Sequence, residues 1–212
     1  RHRGTWTTEG YSITRILPAN DTWVIDFWSD EHVRLEGLQI YGDNSGGYTN
    51  TLVLSDHTTA TNPDIRIEDC IIRTNSVETS GIYFDDLVDN IIIYNTLVYG
   101  TVKGDNGIYI DNNPNAYLYN NTVYNFATGI DAAAVSSNIA LKNNIVMNCT
   151  SDISADTFDA NSTNNATSDG SGSSATLQNG ITGLTSYATY FISIASGSED
   201  FHLKPTASAL KD

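Results

Sequence analysis

Two aspartates at matching positions of a repeated segment are the residues of this sequence best suited to acid–base or metal chemistry. Asp85 follows the tetrapeptide GIYF, Asp111 follows GIYI, and Asp86 extends the first of the two. Carboxylates one strand spacing apart, with nearby carbonyl groups, can bind Ca²⁺ or act as an acid/base pair. Asp and Asn are also common where strands end in turns. The pattern leaves open a catalytic role for Asp85, Asp86 and Asp111, a Ca²⁺ site at Asp85 and Asp111, and a role in turns alone.

Tyrosines at repeated positions form the second group with binding chemistry: Tyr83, Tyr94, Tyr109, Tyr117 and Tyr119. Tyrosine rings stack on sugars and are favoured in protein interfaces. A column of tyrosines can also do no more than stabilise neighbouring strands. We expect either such a column or a binding surface, with a protein interface favoured over a sugar site.

These residues lie within a repeat whose spacing indicates a solenoid. A nine-residue block begins at residues 33, 65, 91, 116 and 139, and its first, third and eighth positions are apolar. Alternation with a period of two predicts strands with one buried face, and repeats of this length are typical of stacked coils. The fifth position holds residue types that tolerate the left-handed conformation of a sharp corner. They are Gly37, Asp69, Asn95, Asn120 and Asn143.

A second repeated strand follows each block and begins at Gly81, Gly107 and Gly129. Two columns of inward residues are expected in it: Leu52, Ile82, Ile108 and Ile130, and then Leu54, Phe84, Ile110 and Ala132. No segment between the strands is long and apolar enough for a crossover helix, so parallel strands must be reached by winding. The prediction is an all-β parallel β-helix of about five regular coils, about 4.8 Å apart, with an irregular C-terminal cap.

Four segments resemble the right-handed parallel β-helix repeat proteins, a superfamily of secreted and virion proteins. They are YLYNNTVYN (117–125), NNIVMN (143–148), NNATSDG (164–170) and DFHLKP (200–205). The likeness is to large environmental and phage-like members, and the β-helix resemblance covers about residues 21–155. It implies right-handed winding and a secreted or virion location. It implies little about activity, because this fold hosts lyases, hydrolases, adhesins and inert spikes. The Asp85–Asp86 pair is similar to that of polygalacturonase-type hydrolases, but their Gly-His-Gly and Arg-x-Lys motifs do not occur here.

We expect one domain in three parts. Residues 1–20 form an extended N-terminal segment, residues 21–155 form the coils, and residues 156–212 form a loop and a cap that shields the edge of the last coil. The N-terminal segment, from Trp6 to Leu17, is apolar and lacks helical spacing. It can therefore act as a cap or add as a strand to a neighbouring copy. The second option predicts a homo-oligomer or an end-to-end polymer.

Composition limits the partners of the chain. The formal net charge is −15, which disfavours nucleic acid, anionic membranes and polyanionic sugars. No apolar run approaches the length of a membrane span. Cys70 and Cys149 lie three coils apart, about 14 Å at the usual strand spacing, which is too far for a disulfide. We expect two buried or half-buried thiols.

Sequons for N-glycosylation occur at Asn20, Asn120, Asn148, Asn161 and Asn165. Asn120 falls at a corner of the repeat and is expected to be unavailable. Asn161 and Asn165 lie in the polar stretch 156–180 and are expected to be the accessible ones.

These observations favour a non-catalytic structural β-solenoid, located outside the cell, on its surface or on a virion. It would serve as a surface, spike or filament subunit that contacts other copies. One alternative is a carbohydrate-binding module that uses the five tyrosines. The other is a polysaccharide lyase or glycoside hydrolase that uses the three aspartates. Ca²⁺ is the one cofactor that the sequence suggests, and a polysaccharide is the one partner other than protein.

Overall fold

The computed structural model of the protein describes residues 4–7, 11–27, 32–44, 46–47, 49–56, 64–85, 90–111, 115–132, 138–155, 158–171 and 179–210. These residues form a parallel β-solenoid whose coils each contribute strands to three faces. The predicted all-β parallel β-helix is confirmed.

The first face is a parallel sheet of five described strands. They are β3 (His32–Glu36), β6 (Asp64–Glu68), β9 (Asn90–Tyr94), β11 (Ala116–Tyr119) and β13 (Ile139–Lys142). The first positions of the five blocks, from Val33 to Ile139, lie in one column. The register predicted from the repeat is therefore confirmed, and the stack makes about four complete turns.

The second and third faces share one sheet. The second contains β1 (Ser12–Ile16), β4 (Gln39–Asp43), β7 (Ile71–Thr74), the first residues of β10 (Leu97–Ile110) and β12 (Thr122–Ala132), β14 (Ile145–Met147) and β16 (Ala166–Thr167). The third contains β2 (Trp23–Asp26), β5 (Asn50–Asp56), β8 (Thr79–Asp85), the last residues of β10 and β12, and β15 (Ser151–Ala155). Because β1 and β16 belong to the stack, the solenoid extends beyond residues 21–155 at both ends.

The predicted register of the third face is wrong by one residue in β5. Val53, rather than Leu52, pairs with Ile82, and Leu54 pairs with Tyr83. Leu52 and Val53 are both fully buried. A Cβ on Gly42 would lie 2.2 Å from Leu52 Cδ2, so the Leu52 side chain fills the space that this glycine leaves. The remaining alignment, from Ile82 through Ile108 to Ile130, is confirmed.

The corner between the first and second faces uses one residue of positive φ in each coil. Gly37, Asp69, Asn95, Asn120 and Asn143 have φ between 51° and 70°, as predicted, and Asn164 continues the column with 56°. This backbone region strains most side chains, but Gly, Asn and Asp adopt it readily. The next corner, between the second and third faces, uses Asn125 and Asn148 in the same way.

The residue after the first corner points inward and forms a ladder of buried amides. The backbone N–H of Thr96 donates to Asn121 Oδ1 at 2.9 Å, that of Asn121 to Asn144 Oδ1 at 3.0 Å, and that of Asn144 to Asn165 Oδ1 at 3.0 Å. The side-chain N–H groups of the three asparagines donate to first-face carbonyls, those of Ile93, Leu118 and Leu141. All three asparagines are fully buried. Their amides therefore satisfy backbone groups that the corner removes from water.

The core is narrow, and in β8, β10 and β12 one position of the third face must be glycine. A Cβ on Gly107 would lie 2.5 Å from the carbonyl oxygen of Gly129 and 2.5 Å from Val123 Cγ1. Gly81 and Gly129 are equally crowded, by Val98 and Val146 of the second face. The close approach of the two faces explains why β8, β10 and β12 carry glycine at this position.

The C-terminal segment folds along the side of the stack. Helix α1 (Tyr187–Tyr190) leads into β17 (Phe191–Ser193), which pairs antiparallel with β18 (Asp200–Leu203). The Phe201 ring lies 5.0 Å from that of Tyr99 and 5.3 Å from that of Tyr124, both on the outer surface of the second face. This hairpin thus covers a flank. The edge of the last coil is covered by residues 158–167, where the Thr163 N–H donates to the carbonyl of Leu141 at 2.9 Å.

The described N-terminal residues complete this flank. Thr5 and Asp200 form an isolated antiparallel β-bridge. Beside it, the N–H of Phe201 donates to the carbonyl of Gly4 at 2.8 Å. The guanidinium of Arg73 lies 5.7 Å from the Trp6 ring and 5.1 Å from that of Tyr41, distances typical of cation–π contacts. The two ends of the chain are therefore joined on the second face.

Replacing two adjacent asparagines, Asn143 and Asn144, should lower the stability of the protein by very different amounts. Asn144→Ala removes the acceptor of the buried Asn121 N–H and is expected to lower the free energy of unfolding by about 2–4 kcal/mol, because buried groups lose their partners. Asn143→Gly keeps a residue suited to positive φ and is expected to cost little. Urea unfolding followed by circular dichroism measures both. Equal losses of unfolding free energy would contradict the assignment of a buried acceptor role to Asn144 and a corner role to Asn143.

Candidate functional site

Three of the predicted tyrosines lie together on the outer surface of the first face. Tyr94 and Tyr119 are paired on neighbouring strands, and Tyr117 precedes Tyr119 by one outward position. The Tyr117 and Tyr119 rings lie 6.2 Å apart, and Lys142 Nζ lies 5.7 Å from the Tyr119 ring. Tyr94 is 41% exposed. The arrangement is a short aromatic strip that ends in a cation.

The other two tyrosines lie on the third face. The Tyr83 and Tyr109 rings stack with centroids 4.5 Å apart and planes inclined by 21°. Each ring therefore covers one side of the other, which removes much of the flat surface that a sugar would need. The five tyrosines thus form two groups on different faces.

Asp111 extends the same column as Asp85, as the repeat predicts. The Asp111 N–H donates to the carbonyl of Phe84 at 2.9 Å, which places its backbone beside Asp85. The side chain of Asp85 and all of Asp86 lie outside the described residues. Burial, helped by the charges of Asp105 and Asp111, raises the pKa of Asp131, which pairs with Tyr109. Two carboxylates here were missed in the sequence analysis. Asp56 pairs with Asp85 but follows LVLS rather than a GIY segment. Asp131 lies in a coil that ends in GIDAA.

Among the described residues, no group of three or more histidine, cysteine, aspartate or glutamate side chains is placed to hold a metal ion. A Ca²⁺ site at Asp85 and Asp111 stays a prediction, since the Asp85 side chain is not described. Within the same part of the chain, no helix has the length and apolar character to cross a membrane.

The sequons differ in accessibility. Asn165 is fully buried, and its side-chain N–H donates to the carbonyl of Leu141 at 2.9 Å. The expectation that Asn165 lies on an accessible loop is therefore wrong, because the ladder of the coils continues through it. Asn161 and Asn20 are exposed, and Asn120 is exposed too, so the expectation that its corner position makes it unavailable is wrong. Asn148 is half-buried, and its Nδ2 donates to Asn125 Oδ1 at 3.1 Å. Glycosylation of Asn20, Asn148 and Asn161 stays a prediction.

Where the structure describes the segment from Trp6 to Leu17, its residues pair with other parts of the same chain. Residues 4–7 join the C-terminal hairpin, and β1 pairs in parallel with β4. Within the chain these residues thus pair with the hairpin and with β4, so addition to a neighbouring copy stays a prediction only for the outer edge of β1. The repeat pattern did not reveal this because β1 precedes the first complete block.

The N-terminal end of the stack is open. All five residues of β1 are exposed, and within the described part of the chain no strand pairs with its outer edge. Ile13 is in register with the fully buried Ile40, yet it is 38% exposed. Ile16, which is in register with the half-buried Asp43 rather than with a core residue, is 70% exposed. Val33 is half-buried, while Ile65 in the next coil is fully buried. Core positions and strand edges at this end therefore face solvent.

Comparison of the chain with protein-family models, with curated proteins and with solved structures finds no match. What the protein does must therefore be argued from its own geometry.

Both cysteine thiols are protonated at neutral pH. Burial raises the pKa of Cys70 to about 11 and that of Cys149 to about 12, above the ordinary value of 9.0. Cys70 is buried and Cys149 half-buried, and neither forms a disulfide, as the sequence analysis predicted. Neither is suited to act as a nucleophile, because the thiolate is the reactive form.

The thiols should therefore react slowly in the folded protein. At pH 8, a thiol-specific reagent such as Ellman's reagent is expected to modify both cysteines much more slowly in buffer than in concentrated urea. The absorbance of the released thiolate measures the rate. Rapid reaction of either cysteine in the folded protein would contradict the raised pKa.

Proposed function

We propose that this protein is a non-catalytic structural member of the right-handed β-helix repeat proteins, outside the cell or on a virion. In this role its coils form a rigid unit that associates with other copies through the N-terminal end of the stack. The observation that carries the proposal is the open edge at β1, where Ile13 and Ile16 are exposed.

An exposed strand edge with apolar side chains favours association. Unpaired backbone donors and acceptors can pair with a further strand, and burial of apolar area contributes about 25 cal/mol per Å². Residues 4–7 lie on the flank beside Asp200 and Phe201, and no described strand pairs with the outer edge of β1. That edge is the one we expect a second copy to contact.

The opposite end of the stack favours a closed dimer over a fibre. Residues 158–167 cover the edge of β13, and Ile181 pairs with Ala166 of β16. The side chains of Ser162, Asn165 and Thr167 that close this end are buried and polar. Because the backbone at the C-terminal edge is already paired within the chain, a head-to-tail contact lacks a free strand edge there. Two N-terminal ends can meet about a two-fold axis, which closes the assembly.

The test is the size of the particle in solution. The unmodified chain is expected to sediment as a dimer in analytical ultracentrifugation. The double variant Ile13→Glu/Ile16→Glu is expected to raise the dissociation constant at least about a hundredfold, since an unpaired buried charge costs about 3 kcal/mol or more.

A matched control places the same charges elsewhere. Val77 and Ile192 are exposed apolar residues, at 57% and 52%, away from β1. The variant Val77→Glu/Ile192→Glu carries the same added charge and should remain dimeric. A monomeric unmodified chain, a filament, or equal dissociation of both variants would overturn the proposal.

A further inference from the structure

A groove of about 590 Å³ runs between the first corner and the C-terminal segment. One wall carries the corner asparagines Asn120, Asn143 and Asn164, which are exposed and come from three successive coils. The opposite wall comes from the C-terminal segment, where Ile181, Phe201, Leu203 and Leu210 are apolar, while Ile145 lies on the side of the coils. The volume lies within the range of small-molecule sites.

The groove carries no charge in a strongly acidic protein. The formal net charge of the chain is −15, yet among the described residues the lining of the groove includes no Asp, Glu, Lys, Arg or His. Its polar groups are amides and one threonine hydroxyl. A charged ligand would therefore lose its hydration without gaining an opposite charge.

The asparagine wall offers hydrogen bonds at a fixed repeat. Neighbouring coils are about 4.8 Å apart, so the three amides span about 10 Å. Asn143 Nδ2 donates to Asn120 Oδ1 at 3.2 Å, and Asn164 Oδ1 accepts from Thr163 at 3.2 Å. A primary amide has two donor hydrogens and one acceptor oxygen. Among the described contacts, the side-chain N–H groups of Asn120 and Asn164 and the side-chain oxygen of Asn143 are left for a ligand.

We propose that this groove binds a neutral oligosaccharide along the axis of the stack. Sugar hydroxyls both donate and accept, which matches a row of amides that offers both. The C–H faces of the rings are apolar and pack against the side chains of Leu203, Leu210 and Ile181 on the facing wall. The site differs from the tyrosine surface, and the proposal does not rest on self-association.

Other occupants fit the groove less well. A wholly apolar ligand would bury the amides without partners, which costs free energy for each polar group. An extended peptide has its hydrogen-bonding groups on alternate sides and gains most affinity at a sheet edge, whereas this wall is a column of side chains at a corner. A neutral glycan satisfies both walls at once.

The experiment is a titration of the full chain with defined sugars. The probes are cellohexaose, xylohexaose, maltohexaose and chitohexaose, with hexagalacturonate as the charged counterpart. Side-chain amide signals in ¹H–¹⁵N spectra give both the affinity and the place of binding. At least one neutral probe is expected to shift the Asn120, Asn143 and Asn164 signals saturably, and hexagalacturonate is not.

Two variants test the walls. Asn143→Gly keeps the corner conformation and is expected to weaken binding about tenfold, the effect of one lost hydrogen bond. Asn148→Gly is the matched control, because Asn148 has φ of 59° in the same coil and lies outside the groove. Leu210→Asp places a charge on the apolar wall at a residue outside the coil strands and should also weaken binding.

The outcomes that overturn the proposal are specific. They are the absence of saturable shifts with all four neutral probes, equal binding of hexagalacturonate, or equal affinity of Asn143→Gly and Asn148→Gly. Shifts at these asparagines with a neutral Gly-Ser peptide, and with none of the sugars, would assign the groove to a peptide instead.

Discussion

The stack depends on hydrogen bonds from asparagine side chains to the backbone of the neighbouring coil. At each first corner the chain turns sharply, and the N–H of the next residue points into the core, where no strand can accept it. The amide oxygen one coil further on accepts it instead, as Asn144 Oδ1 does for Asn121. An unpaired N–H there would cost about 1–3 kcal/mol in every coil. In the coils from Thr96 onward, the strands close into a narrow tube with these N–H groups satisfied because the same position of the following coil carries an acceptor.

The same column explains why the two ends of the solenoid differ. In the coils toward the N-terminus, the residue directly after the first corner is Leu38 and then Cys70. This residue is polar only from Thr96 onward. At the other end Asn165 completes it, and Ser162 Oγ accepts the N–H of Leu141 at 3.1 Å. The polar end therefore satisfies its own backbone within the chain. The apolar end leaves Val33 half-buried, and this asymmetry makes it the end suited to a partner.

The repeat predicted the fold because one residue set controls both register and corner. Period-two alternation defines the inward face, and a Gly, Asp or Asn at the fifth position defines where each strand stops, so Val33 and Ile139 could be placed in one column. The register of β5 could not be predicted in this way. Leu52 and Val53 are both apolar, and the choice between them depends on the space above Gly42. The flank formed by Trp6 and Phe201 lies outside any repeat and depends on contacts between distant residues. Asn165 was misplaced because its neighbours 156–180 are polar, although NNATSDG continues the ladder.

The choice of asparagine over aspartate at the exposed corner follows from the same spacing. Both residues adopt positive φ, and Asp69 occupies the corner in one coil. A full column of aspartates would place like charges about 4.8 Å apart. Their repulsion is about 3.5 kcal/mol per neighbouring pair at an effective dielectric constant of about 20, and the chain already carries a net charge of −15. Asparagine has nearly the same shape as aspartate and adopts the same positive φ, but it carries no charge and so removes the repulsion. Its amide also adds a hydrogen-bond donor. Asn95 Nδ2 donates to Asp69 Oδ1, and Asn143 Nδ2 donates to Asn120 Oδ1. The neutrality that lets the coils stack is also what leaves a row of uncharged amides along the groove.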